Sequence, residues 1–116
     1  MDEMNKIEII TRQEKLEELK GALNEVGING MTVSQVLGYG TQKGHKHHYR
    51  GVEYSVDLLP KVKVEMVVCT VPVQTVVDTA LKVLRTGKIG DGKIFITPVA
   101  KVIKVRTGEE DREALL

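Results

Sequence analysis

The chain has 116 residues, 41% of them hydrophobic and 28% charged, which suits one compact domain and excludes both a disordered chain and two ordinary domains. Seventeen Lys and Arg against sixteen Asp and Glu leave a formal charge of +1, so no global field selects a partner and direct nucleic-acid binding is not expected. No apolar run approaches the roughly 18 residues of a membrane-spanning helix, and the opening Met-Asp-Glu-Met-Asn-Lys lacks the apolar stretch of a secretion signal, so a cytoplasmic location is expected.

Ile7 to Ile10 reads as a first strand. Thr11 with Glu14 three residues later has the spacing of a helix capping box, and Leu16, Leu19, Leu23 and Val26 then mark one face of a helix that ends at Gly27. A second strand runs from Thr32 to Tyr39. Residues 40 to 57 hold no helical period and little sustained alternation, and a connection of that length is expected to be functional or disordered. All three histidines (His45, His47, His48) and all three tyrosines (Tyr39, Tyr49, Tyr54) lie between positions 39 and 54, while the only other aromatic residue is Phe95. Lys61 to Val71 alternates and then turns wholly apolar, as a strand entering a core does; Cys69 within it reads as a buried, inert thiol. Pro72 suits the first turn of a second helix with Val73, Val76, Val77, Ala80, Leu81 and Leu84 on its buried stripe and Gly87 as its stop. Two more strands, Lys93 to Thr97 and Lys101 to Arg106, flank Pro98 and lead into a charged tail.

This order predicts a single α+β domain over residues 1–116, with a ferredoxin-like βαββαβ sandwich: an antiparallel sheet with both helices on one face and a long exposed loop between strands 2 and 3. The other face alternates apolar residues with Lys and Glu. Assembly into a small ring is the expected way to cover it.

Chemistry concentrates in the glycine-rich segments. Gly87-Lys88-Ile89-Gly90-Asp91-Gly92-Lys93 matches the G-x-x-x-x-G-K part of a phosphate-binding loop. Its context differs, because a helix leads in, a strand leads out, and Ile94 stands where a magnesium-holding hydroxyl belongs. Successive backbone N–H groups with two lysines can still cradle phosphate oxygens, which predicts binding without efficient hydrolysis. A tight turn that uses glycine for positive φ is the equal alternative. Lys104, Arg106 and Thr107-Gly108 form a second basic cluster that would share a polyphosphate site if it lay near the first. In the histidine run, imidazoles two apart can share an ion, but no cysteine is near and Lys46 interrupts the run, so an exposed polar loop is the simpler reading. No paired carboxylates or Ser/His/Asp order suggest catalysis.

Four stretches in order, Tyr-Gly-Thr-Gln-Lys-Gly-His with Tyr-Arg-Gly-Val-Glu-Tyr, Leu-Pro-Lys-Val-Lys-Val-Glu, Thr-Gly-Lys-Ile-Gly-Asp-Gly-Lys-Ile-Phe and Arg-Thr-Gly-Glu-Glu-Asp, closely resemble the PII signal-transduction proteins from about residue 5 to 113. The resemblance implies a homotrimer that senses ATP or ADP and 2-oxoglutarate in clefts between subunits and regulates nitrogen assimilation without being an enzyme. It implies that Gly90, Asp91, Gly92 and Lys93 (in a loop of about 86–93) hold phosphates, with Lys104 and Arg106, from the C-terminal segment of about 104–116, reaching over from the adjacent subunit. Thr32, Gly38, Gly40, Glu65 and Val67 match positions lining ribose, adenine and the loop base. Gln42 matches the residue completing the shell of a magnesium ion shared by ATP and 2-oxoglutarate. Lys61 matches a 2-oxoglutarate carboxylate partner, and Arg12 stands where lysine is frequent for the same ligand.

Residues 40–57 then resemble the family's effector loop. Arg50 matches the arginine that enters the exit of an ammonium channel, Tyr49 is a suitable contact beside it, and Tyr54 matches the tyrosine some members carry nucleotidylated. The implied partners are an ammonium channel, with reversible membrane association through it, and glutamine synthetase, transcription regulators or a nucleotidylating enzyme. The sequence departs from the pattern at Thr41 and Lys104, where arginine is frequent, and at Gln13, where proline often stands; lysine at 104 keeps the charge but loses the bidentate fork, so the balance of ATP and ADP binding is expected to differ. Val52 excludes serine phosphorylation at that place. Two rivals from other classes are an amino-acid-sensing ferredoxin-like domain, which needs no Gly-Asp-Gly-Lys, and a weak nucleotide hydrolase, which lacks a defensible general base.

Overall fold

The computed structural model describes residues 3–41, 47–49, 52–54 and 56–116. Strand β1 (Asn5–Thr11) buries Ile7, Ile9 and Thr11 on one face, the period of two that a half-buried strand requires. A 3-10 turn (Gln13–Lys15) leads into α1 (Leu16–Glu25), which ends where Gly27 takes a φ of 102°. Strand β2 (Thr32–Thr41) and the small strands β3 (His47–Tyr49) and β4 (Val52–Tyr54) follow, then β5 (Val56–Val68), α2 (Val73–Leu84), β6 (Lys93–Pro98) and the short α3 (Arg112–Leu115).

The four long strands form one sheet in the order β2-β5-β1-β6, with every neighbouring pair antiparallel. This is the ferredoxin-like order expected of a doubled βαβ, in which each parallel pair is split by a third strand. Both helices cover the face that carries Ile7, Ile9, Val64, Met66 and Val68, and Leu19, Leu23, Val76, Ala80 and Leu84 close the core from the helix side. Each of these apolar side chains contributes about 1.5–3 kcal/mol by leaving water. The core is aliphatic throughout.

Across the other face runs a row of ion pairs: Lys6 to Glu65 at 3.0 Å, Lys63 to Glu65 at 3.4 Å and Lys63 to Glu8 at 3.3 Å. Hydrogen bonding to Glu8, and then to Glu65, raises the Lys63 pKa, while Lys6 lowers that of Glu65.

Four sequence expectations are corrected. Thr11 does not cap α1: it pairs with Val62 as part of β1, and the helix follows the 3-10 turn with no side-chain cap. The stretch 40–57 begins and ends in strand, since Gly40 pairs with Asp57 and Thr41 with Val56, and β3 and β4 pair inside it. Lys101–Arg106 forms no sheet strand. Beyond Pro98 this segment folds back on its own continuation, with an Ile103–Glu110 bridge, a hydrogen bond from Lys104 N–H to Glu109 O at 2.8 Å and one from Asp111 N–H to Val102 O at 2.8 Å. Cys69 is half-buried rather than buried.

Candidate ligand-binding site

The turn from α2 to β6 is built by glycines that no other residue replaces. Gly87, Gly90 and Gly92 have φ of 84°, 103° and 104°, in the left-handed region that glycine alone enters without strain. A Cβ on Gly92 would lie 1.9 Å from the Ile10 carbonyl oxygen, so this glycine is what lets the turn press against the end of β1. Asp91 between Gly90 and Gly92 is not among the positive-φ residues. Positive-φ glycines on both sides of Asp91 are the setting in which successive N–H groups can form an anion-binding nest. Residues 89 and 90 form a tight turn leading into it.

The Asp91 carboxylate is spent on shaping this turn. One oxygen accepts from Thr86 Oγ1 at 2.5 Å and Arg12 Nη1 at 2.6 Å, the other from the N–H groups of Thr86 and Gly87 at 2.8 and 2.9 Å. The Thr86 hydroxyl first, then the Arg12 guanidinium and these N–H groups, hold its carboxyl well below the usual carboxylate range. Lys88 N–H donates to Thr86 Oγ1 at 3.2 Å.

From the other side β1 and β5 brace the turn. Thr11 is 1% exposed and its hydroxyl donates to the Asp91 carbonyl at 2.9 Å. Arg12 Nη2 donates to the Ile89 carbonyl at 2.8 Å and Lys61 Nζ to the Gly90 carbonyl at 3.1 Å. Gly38 leaves room for the Lys61 stem, because a Cβ there would come within 3.1 Å of Lys61 Cγ. Two cations thus stand over a loop of positive-φ glycines, a setting for a ligand with several anionic groups.

The structure places the residues of interest in three groups. Arg12, Gly38, Lys61, Gly90, Asp91, Gly92 and Lys93 share the corner just described. Thr32 faces Glu65 across β2 and β5, and with Val67 they line a cleft of about 590 Å³ that Lys6, Arg112 and Leu116 also border. The four-residue step from Lys61 to Glu65 spans about 13 Å of strand. Lys104 and Arg106 form the third group in the C-terminal turn, where Lys104 Nζ donates to the Leu116 backbone oxygen at 3.2 Å, and no hydrogen bond among the described residues joins them to the glycine turn. Gly40 sits in β2 opposite Asp57; Tyr49 pairs with Val52, and His47 with Tyr54. Gln42, His45 and Arg50 lie outside the described residues.

Sequence reasoning missed Thr11 and Thr86. Thr86 carried a signal, since a hydroxyl residue just before Gly87 and five before Asp91 can close the turn through a side-chain pair. Thr11 carried a misleading one, its capping-box spacing. Among the described residues there is no group of three or more His, Cys, Asp and Glu side chains placed to hold a metal, and no helix is long and apolar enough to cross a membrane.

Comparison with known proteins agrees with this arrangement. The family described as Nitrogen regulatory protein P-II matches residues 4–109. Nitrogen regulatory protein P-II of Klebsiella oxytoca is 57% identical over 112 residues, covering 97% of this chain and 100% of the relative, and that of Pasteurella multocida is 51% identical with the same coverage. Among solved structures, B. subtilis GlnK in its ATP complex superposes with a TM-score of 0.84 at 41% identity and covers 99% of both chains. Arabidopsis thaliana PII bound to citrate gives 0.78 at 39% identity, over 97% of this chain and 92% of that one. The strand order, the turn at Gly90 to Gly92 and a match along nearly the whole sequence lead to one conclusion: the chain belongs to the P-II family of nitrogen regulatory proteins.

Proposed function

We propose that the chain is a regulatory sensor that binds ATP or ADP together with 2-oxoglutarate and magnesium, and that it signals to an ammonium channel and other nitrogen-assimilation targets through residues 40–57. The observation that carries this reading is the turn at Gly90-Asp91-Gly92, with its positive-φ glycines and with Arg12 and Lys61 bound to its carbonyls. The ATP complex of B. subtilis GlnK and the citrate complex of Arabidopsis PII support the two ligand classes, a nucleotide and a polycarboxylate.

In this reading the N–H groups of Gly90, Asp91 and Gly92 and the charge of Lys93 hold phosphate oxygens. Thr32, Gly38, Gly40, Glu65 and Val67 line the sugar, base and loop root. Lys104 and Arg106 complete the phosphate site of a neighbouring subunit in a homotrimer. Their separation from the glycine turn of their own chain supports this, as does the exposure of Ile103 at 57% and Val105 at 99%. Magnesium would neutralise phosphate charge and chelate the keto acid, with Gln42 at its shell; Lys61 and Arg12 take the carboxylates. The role is regulatory and not catalytic, in the cytoplasm and at the membrane only when docked on the channel. Arg50 and Tyr49 then serve as contacts and Tyr54 as the residue open to nucleotidylation. Glutamine synthetase, transcription regulators and a nucleotidylating enzyme are the further partners.

Ligand and partner act on one loop, so their effects are reciprocal: a channel that favours the ADP-bound form tightens ADP in turn. Calorimetry with ATP, ADP and 2-oxoglutarate, with and without magnesium, tests the ligand assignment. The expected result is 2-oxoglutarate binding only with magnesium and ATP; equal binding without them removes the shared ion. Capture from cells before and after an ammonium pulse, with intact mass, tests the partner and Tyr54.

A further inference from the structure

Three consecutive carbonyls of the glycine turn are each held by a side chain from the end of β1 or the neighbouring part of β5. Arg12 Nη2 donates to the Ile89 oxygen, Lys61 Nζ to that of Gly90 and Thr11 Oγ1 to that of Asp91. The first two donors are cations. The third is a neutral hydroxyl on a residue only 1% exposed, so Thr11 lies out of a ligand's reach and acts through the turn. Its place follows from the register. Pairing of β1 with β6 ends at Ile10 and Lys93, which leaves Thr11 beside Gly92, and a Cβ on Gly92 would come within 3.0 Å of Thr11 Cα.

The Asp91 carbonyl and the Gly92 N–H belong to one trans peptide. The group is planar, so the two point in opposite directions. Gripping the carbonyl therefore aims the N–H away from the Thr11 hydroxyl. That hold matters because glycine accepts both signs of φ: the peptide before Gly92, whose φ is 104°, can turn over and present its oxygen where its N–H had been. An oxygen there repels phosphate, whereas an N–H donates to it in a charge-assisted hydrogen bond. We propose that Thr11 is a positioning residue of the phosphate site: its buried hydroxyl sets the Asp91–Gly92 peptide so that the Gly92 N–H faces the ligand. This rests on the nucleotide reading given above and adds to it a residue that touches no ligand.

The test uses two substitutions that separate donation from packing. Thr11→Val keeps the shape of the side chain and removes the donor; Thr11→Ser keeps the donor and removes the methyl group. Calorimetry with ATP and thermal melting are recorded for the wild type and both variants, and the Gly92 amide resonance of isotope-labelled protein is followed as ATP is added. In the wild type that amide proton should move downfield as it meets phosphate. Thr11→Val should weaken ATP about tenfold or more and abolish the downfield shift, while Thr11→Ser should bind ATP within about threefold of wild type even though its melting temperature falls with the lost methyl. ATP binding by Thr11→Val within about twofold of wild type overturns the proposal. Equal weakening in both variants also overturns it, because Thr11 is then a packing residue alone. The wild type decides the matter even where Thr11→Val does not fold, since a Gly92 amide unmoved at saturating ATP overturns the proposal by itself. Failure of the wild type to bind ATP instead removes the nucleotide reading.

Discussion

The two basic segments that the sequence suggests as halves of one phosphate site have opposite characters. The turn at 86–92 is complete within one chain: Asp91, Thr86, Thr11, Arg12 and Lys61 fix its shape, and its glycines hold backbone that other residues resist. The segment 101–106 is the reverse, a run of apolar and basic residues with Val105 at 99% exposure, held by contacts to its own continuation rather than to the sheet. In the function proposed above the first half is preformed, and the second would be completed only on association with a neighbouring subunit.

The sharpest way to break the preformed half is Gly92→Ala. A methyl placed 1.9 Å from the Ile10 oxygen at a φ of 104° must push the turn off β1, with a cost of about 2–5 kcal/mol from strain and overpacking together. Thermal melting should show the loss and calorimetry should show no ATP binding; a normal melt with normal binding contradicts a rigid turn.

D91N comes next. It removes the charge and turns one of the two accepting oxygens into a donor, so either Thr86 Oγ1 and Arg12 or the N–H groups of Thr86 and Gly87 lose their acceptor, and nucleotide affinity should fall about tenfold. The same carboxyl sets a pH dependence. Its folded pKa lies below the unfolded value, so its contribution to stability is fully present above about pH 4 and is lost as pH falls through the depressed folded value. Melts from pH 8 to 5 should therefore differ between wild type and D91N by a constant amount, and the difference should close only in stronger acid.

V105D attacks the other half. Because Val105 is almost fully exposed in its own chain, the variant should fold as the wild-type chain does, while light scattering shows a smaller particle than the homotrimer proposed for the wild type. An unchanged mass would mean that this segment does not join copies. The smallest effect is expected from K104R: if Lys104 meets phosphate in a neighbouring subunit as proposed, the added bidentate donor should tighten ATP about 2–5-fold; a looser complex would place Lys104 away from phosphate.

Much of this was legible in advance because burial imposes periods on a sequence. The stripe from Val73 to Leu84 and the alternation in β5 fix the helix face and the strand register, and Gly87, Gly90 and Gly92 mark a turn with positive φ. The failures share one cause: local spacing admits two uses and tertiary contacts choose between them. Thr11 has a cap's spacing, yet pairing with Val62 keeps it in the strand and turns its hydroxyl onto Asp91. Lys101 to Arg106 has a strand's composition, yet it joins neither edge strand of the sheet and closes instead on Glu109 and Asp111. The continuation of β2 and β5 into the 40–57 stretch was hidden because the sequence at Gly40-Thr41 and Val56-Asp57 is too short to show a sustained apolar–polar alternation.

The row of charges on the sheet's open face is neutral by itself: Lys6 and Lys63 answer Glu65 and Glu8, and all four are satisfied inside one chain. Burying the row strands none of its members, although the same face also carries Lys93 opposite Ile10 and Lys61 opposite Val36. Electrostatics at this row therefore cannot tell one copy from a related chain with the same balanced pattern. Discrimination falls to the shape of Ile10, Val36 and Phe95, which stand opposite Lys63, Lys61 and Glu8 on neighbouring strands. In the trimer proposed above, were this face its contact, the fit of these apolar side chains would govern whether a related chain could take the place of one copy.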